Sequence, residues 1–180
     1  MGIFADRIIG ASKLNAKVYE EIEADPKALG QAMGVVVLSS VAAGIGSIAR
    51  VGFGGLVIGT LAALAGWYVW AYLTYLIGTK LLPETQTRSN PGELLRTIGF
   101  SSAPGMIRVL GIIPGMAWIF YTIGGIWMLV AMVVAVRQAL DYKSTLRAVG
   151  VCLIGWVIQA LFVALLFYLF GPSNGEMPGS

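Results

Sequence analysis

The sequence predicts an all-α integral membrane protein: five transmembrane helices preceded by an N-terminal amphipathic helix lying at the membrane interface. Three observations carry this. Of 180 residues, 57% are apolar and only 12% charged, about half the ~25% charge of an ordinary soluble domain. Four long stretches hold no charged residue at all, and the basic residues collect in the segments between them.

In residues 1–24, Phe4, Ile8, Ala11, Leu14, Val18 and Ile22 recur at steps of three and four. That spacing puts them on one helical face. The stripe has two readings, one turned to the acyl chains from the headgroup layer, the other packed on the cytoplasmic ends of the remaining helices. Five acidic residues among the first thirty, and no apolar core of signal type, predict no cleavable signal peptide.

Residues 25–171 form the membrane domain. The uncharged runs are 28–49, 51–79, 109–136 and 148–170. Each can cross a hydrocarbon core of about 30 Å at about 1.5 Å per helical residue. The stretch 94–113, with Arg96, Pro104 and Arg108, is open to three readings: a fifth span, a re-entrant hairpin or an interfacial segment. Charge arbitrates, because short cytoplasmic loops are enriched in Lys and Arg. The N-terminal tail carries Arg7, Lys13, Lys17 and Lys27. The next basic loop carries Lys80, Arg88 and Arg96, and the last carries Arg137, Lys143 and Arg147. All three share the cytoplasmic side only if 94–113 crosses. Ten of the twelve basic residues then face the cytoplasm. The tail 172–180, with no basic residue, is expected to be flexible and outside.

Helix ends are marked locally. Asp25-Pro26 and Asn90-Pro91 each read as an N-cap followed by proline, and Glu93 completes a capping box. Pro114-Gly115 is a turn, and Gly171-Pro172 ends the last helix.

Two stretches carry a family resemblance: the second span running into GTKLLPETQTRSNPGELLRTIGFSSAP, and the fourth running into VRQALDYKSTLRAV. Together they resemble the YIP domain family of five-span membrane proteins. Gly99-Phe100 followed by Pro104 is similar to its glycine–aromatic–proline signature, and LDYKSTLRA to its amphipathic connector. The resemblance implies the five-span fold. Eukaryotic members interact with Rab-type GTPases and carry a long hydrophilic N-terminal region with an Asp-Leu-x-Gly-Pro motif. This chain has about 25 residues there, reading EADPKALG, so small-GTPase binding is not carried over. The short form resembles the prokaryotic branch, which implies a bacterial cytoplasmic membrane.

Ionisable groups inside spans are the first candidates for function. Every acidic residue falls in a loop or terminus, which disfavours a proton-coupled pump. Arg108 is the exception, one turn after the break expected at Pro104 and Gly105. A charge at the centre of a span costs roughly 2.5–3.5 kcal/mol on insertion scales. The preferred reading is an arginine reaching the outer interface from the end of a short span; the alternative is an anion or lipid-headgroup contact shared with Ser101 and Ser102. Those two serines lie in GFSSAPG, which lacks the Gly-x-Ser-x-Gly spacing of a nucleophile elbow, and the chain has no histidine to act as base. They are expected to bond backbone carbonyls near Pro104. The single cysteine, Cys152, excludes a disulfide within the chain and is expected to be a packing residue. Gln159 is expected to bond a neighbouring helix.

Gly30 with Gly34, and Gly55 with Gly59, have the spacing that lets helices approach closely, within one bundle by preference or between copies. Trp67, Trp70, Tyr72 and Tyr75 read as interface anchors. No catalytic residue, cofactor, metal or nucleic-acid partner is expected. The expected function is a non-enzymatic membrane scaffold or adaptor, involved in membrane organisation or trafficking or serving a larger membrane complex, with the bilayer and other membrane proteins or further copies as partners. The alternatives are a channel or transporter subunit, and a lipid-binding protein.

Overall fold

In the computed structural model, which describes residues 2–170, Leu14 divides the N-terminal segment in two. Its φ of 60° lies in the left-handed region, which strains a residue bearing a Cβ and halts a right-handed helix. α1 (Ile3–Ser12) stops just before it. The Asn15 side chain then accepts from the Lys17 N–H and opens α2 (Ala16–Ala24). The one helix expected here is therefore a helix pair. Its apolar stripe turns to the bundle: Ala11, Tyr19 and Ile22 are fully buried, packed with Ala28, Ala32 and Val35.

α3 (Ala28–Gly46) follows without a capping side chain, because Asp25 instead accepts from the Lys27 N–H in the turn before it. α4 (Ile48–Leu76) bends at Gly52, whose φ of 64° and ψ of −176° define a region open almost only to glycine. A π-helical turn carries the chain on to Leu81.

The capping box at Asn90 forms: the Asn90 side chain accepts from the Glu93 N–H at 3.1 Å, and Glu93 accepts from the Asn90 N–H at 2.9 Å. It opens α5 (Pro91–Phe100), and a 3-10 helix, Ala103–Ile112, continues the path. Proline explains the break. Pro104 has no N–H to donate and its ring crowds the carbonyl four residues back, so the α-helix ends at Phe100 and the chain tightens. Ten residues is long for 3-10 geometry. α6 (Ala117–Ala139) and α7 (Thr145–Phe170) complete the bundle. Among the described residues, four helices are long and apolar enough to cross a membrane: α3, α4, α6 and the described part of α7. The tail 172–180 lies outside the described residues.

The loops after α4 and α6 meet. Gln86 donates to the Asp141 carbonyl at 3.0 Å, and Glu84 accepts from the backbone N–H groups of Lys143 and Ser144 at 3.0 and 3.2 Å. At the far end, α3 closes on the 3-10 helix so tightly that a Cβ on Gly46 would lie 2.0 Å from the Arg108 carbonyl oxygen. Between these ends, α5 and the 3-10 helix have a summed rise of about 35 Å at their ordinary geometries.

Two apolar clusters form the core. One joins Trp70, Ile77, Leu94, Val136, Leu140 and Val151. The other seats α1 and α2 against α3, Phe100 and Ala135.

Candidate functional site

The break in the α5 path positions a polar part of the bundle interior. Arg108 leaves the 3-10 helix and lies along α6. Its guanidinium carbon sits 5.7 Å from the centre of the Tyr121 ring, and a Cβ at Gly124 would come within 3.3 Å of its Nε. Glycine at 124 is what leaves room for the side chain. Gly125, beside the guanidinium, is eight residues into α6, about 12 Å from its start. The side chain thus runs deeper into the bundle, along α6, not past the Pro114 turn. Its Nε is buried and has no hydrogen-bond partner among the described residues.

Arg108 faces a cavity of about 470 Å3. Ser39, Ser40, Ser101, Ser102 and Gln159 bring polar groups to its wall, while Trp67, Trp70, Met128, Met132 and Trp156 supply apolar surface. Ser101 is buried and donates to the Ile98 carbonyl at 2.7 Å; Ser40 donates to Val37 at 2.9 Å. Gly105 is buried beside Ser39 and Met128, and Pro104 is buried with it.

The structure therefore brings Arg108, Ser101 and Ser102 to one cavity, and adds Trp67 and Trp70 to it. An indole N–H in apolar surroundings needs an acceptor, and both find one inside: Trp67 donates to the Leu95 carbonyl at 2.9 Å and Trp70 to the Met132 sulfur at 3.1 Å. Tyr72 stays exposed beside Tyr68, the ring centres 5.4 Å apart and the planes tilted by 34°. Tyr75 is half-buried against the first core cluster. Gln159 is exposed at the cavity rim, and Cys152 is buried. Gly30 and Gly59 face open space, Gly34 meets only Phe4, and Gly55 meets Val51 of its own helix. The close approaches fall elsewhere, at Gly46 on Arg108 and Gly99 on Ala32. Sequence reasoning missed Ser39 as a cavity residue; a serine within an apolar run was its only mark.

A second polar cluster lies at the end where the loops meet. Buried Arg7 pairs with Glu21 at 3.1 Å and Asp25 at 2.9 Å, and donates to Gln31 at 2.9 Å. The Arg7 hydrogen bond holds the Asp25 carboxyl below its usual range, helped by the Lys27 N–H. Buried Arg96 donates to the Ile22 and Glu23 carbonyls. Burial pushes the Glu23 carboxyl up to about 7, reinforced by the charges of Glu93 and Asp141.

Long apolar helices, an interior broken segment and an intramembrane-type cavity define a polytopic integral membrane protein. The chain matches the Yip1 domain family over residues 15–169 and belongs to it. No curated protein and no solved structure matches it.

Proposed function

We propose that the protein is a non-enzymatic membrane scaffold or adaptor that crosses the bilayer five times. The N-terminal helices and both contacting loops then lie in the cytoplasm and the C-terminus outside, in a bacterial cytoplasmic membrane. The basic loops support five crossings, since Lys80, Arg88, Lys143 and Arg147 flank the end where Glu84 joins two loops.

The observation that carries the adaptor reading is the order of that end. Arg7 and Arg96 tie α1 and α2 to α3 and α5, while Glu84 ties the loop after α4 to the start of α7. The result is a pre-formed basic and acidic surface, which lowers the ordering cost of recruiting a partner. Arg88 and Lys143 project from it, exposed. The non-enzymatic part rests on the lack of histidine and on the Ser101 hydroxyl being engaged with a backbone carbonyl.

Co-purification from gently solubilised membranes tests this. The expected result is a reproducible partner set with the wild type that is lost when Arg88→Glu and Lys143→Glu are combined. A lone monomer under every mild condition sinks the reading.

A further inference from the structure

Arg108 sets a problem that the adaptor reading leaves unanswered. A guanidinium in apolar surroundings is costly unless it is paired. Among the described residues, no carboxylate forms an ion pair with it; the three ion pairs belong to Arg7 and Arg147. The Tyr121 ring face offers partial compensation, yet the Nε stays buried and unpartnered. The charge is also directed: the side chain passes over Gly124 and Gly125 to the cavity. Among the described residues, no acidic group lines this space.

The cavity suits an occupant that supplies the missing charge. At about 470 Å3 it falls in the range of small-molecule sites, roughly 300–1,000 Å3. Ser39, Ser102 and Gln159 add hydroxyl and amide groups to the same cavity. A guanidinium sharing one cavity with several further donors matches the oxygens of a phosphate. The rest of the lining is largely apolar, with Trp67, Trp70, Met128 and Met132, and the lining residues Gly66, Trp156 and Gln159 are exposed on the flank of the bundle. A flank opening in a membrane protein faces lipid, not water.

We propose that this cavity binds a phosphate anion carried by a membrane lipid, with Arg108 as its counter-ion and the tryptophan- and methionine-lined wall against the upper acyl chain. The site is independent of the cytoplasmic surface argued above, and either can stand without the other.

The test reconstitutes the full chain in vesicles of equal phosphatidylglycerol and phosphatidylcholine, re-extracts it gently and counts retained lipid by native mass spectrometry. The wild type retains phosphatidylglycerol over phosphatidylcholine. Arg108→Gln lowers that retention roughly ten- to hundredfold, the cost of one charge-assisted hydrogen bond, and Arg108→Lys loses less. Ala63→Phe fills the cavity from α4 without touching the charge and also expels the lipid, so the proposal is testable even where Arg108→Gln fails to fold. A parallel arm adds inorganic phosphate to protein in phosphatidylcholine alone and follows thermal unfolding. Selective lipid retention puts the phosphate on a lipid, and an Arg108-dependent rise in the midpoint with inorganic phosphate puts it on a free anion; both support a phosphate site. Equal retention in wild type, Arg108→Gln and Ala63→Phe, with no Arg108-dependent response to phosphate, overturns it.

Discussion

The Nε of Arg96 donates to the backbone carbonyl oxygen of Glu23 at 3.1 Å, and also reaches that of Ile22 at 3.2 Å. These are carbonyls of the last turn of α2, which lack partners within their helix and carry the negative end of its dipole. A cation arriving from α5 therefore fastens the N-terminal pair to the broken segment.

Replacing Arg96 by Met keeps much of the side-chain bulk and removes every donor. Hydrogen bonds from a charged group contribute about 1.5–3 kcal/mol, and the carbonyls left behind are partly buried. Arg96→Met is expected to speed amide exchange through 16–24 while α6 keeps its protection. Unchanged exchange in α2 would show that apolar packing of Tyr19 and Ile22 holds the helix unaided.

Glu23 makes the same contact pH-sensitive. Burial raises its carboxyl to about 7 from 4.5, so the docked state holds a proton that the undocked state releases. The sign follows from proton counting. Stability from this group is fully present below pH 4.5, falls as pH rises, and is gone above about 7. Exchange of α2 amides, corrected for intrinsic rates, is expected to accelerate between pH 5 and pH 8 by about tenfold or less, since Glu23 is only half-buried. Glu23→Gln flattens that dependence. A wild-type profile as flat as the variant's refutes the assignment.

These residues also mark what could be read from the chain. Local chemistry was legible: the Asn90–Glu93 box and the Pro104 break rest on neighbours in sequence, and both formed. Charge bookkeeping pointed to Arg108 because one arginine stands out in an apolar run. The Leu14 break was not legible, since nothing in leucine favours a positive φ and only tertiary packing can impose it. The inward turn of Trp67 and Trp70 depends on acceptors 28 and 62 residues away. The cavity itself needs four or more elements to meet, and no local pattern encodes that.

Glycine spacing did not locate the close approaches within the bundle for a related reason, which yields a further prediction. At Gly99 an added Cβ would lie 2.7 Å from the Cβ of Ala32 and 3.1 Å from its carbonyl oxygen, so Gly99→Ala forces α3 and α5 apart. Overpacking of this kind costs about 1–3 kcal/mol. Gly30 and Gly59 have open space where a Cβ would go, and alanine there is expected to raise helix stability by roughly 0.5–1 kcal/mol. Thermal unfolding in one detergent ranks the three. Destabilisation by Gly30→Ala or Gly59→Ala with a parallel loss of mass in native mass spectrometry would instead mark those faces as contacts between copies.

The Glu84 contacts fix the topology experiment. Because its carboxylate reaches the backbone N–H of both Lys143 and Ser144, the loop after α4 and the loop after α6 cannot lie on opposite sides of a membrane without breaking this fold. In a Cys152→Ala background, Arg88→Cys and Lys143→Cys are expected to react with an impermeant maleimide from one side, and Met116→Cys from the other. All three positions are exposed, so accessibility does not bias the comparison. That pattern requires the chain between 91 and 112 to traverse the bilayer as a broken fifth crossing. Labelling of positions 88 and 143 from opposite sides would make this segment re-entrant and would move the last basic loop away from the surface on which the adaptor reading depends.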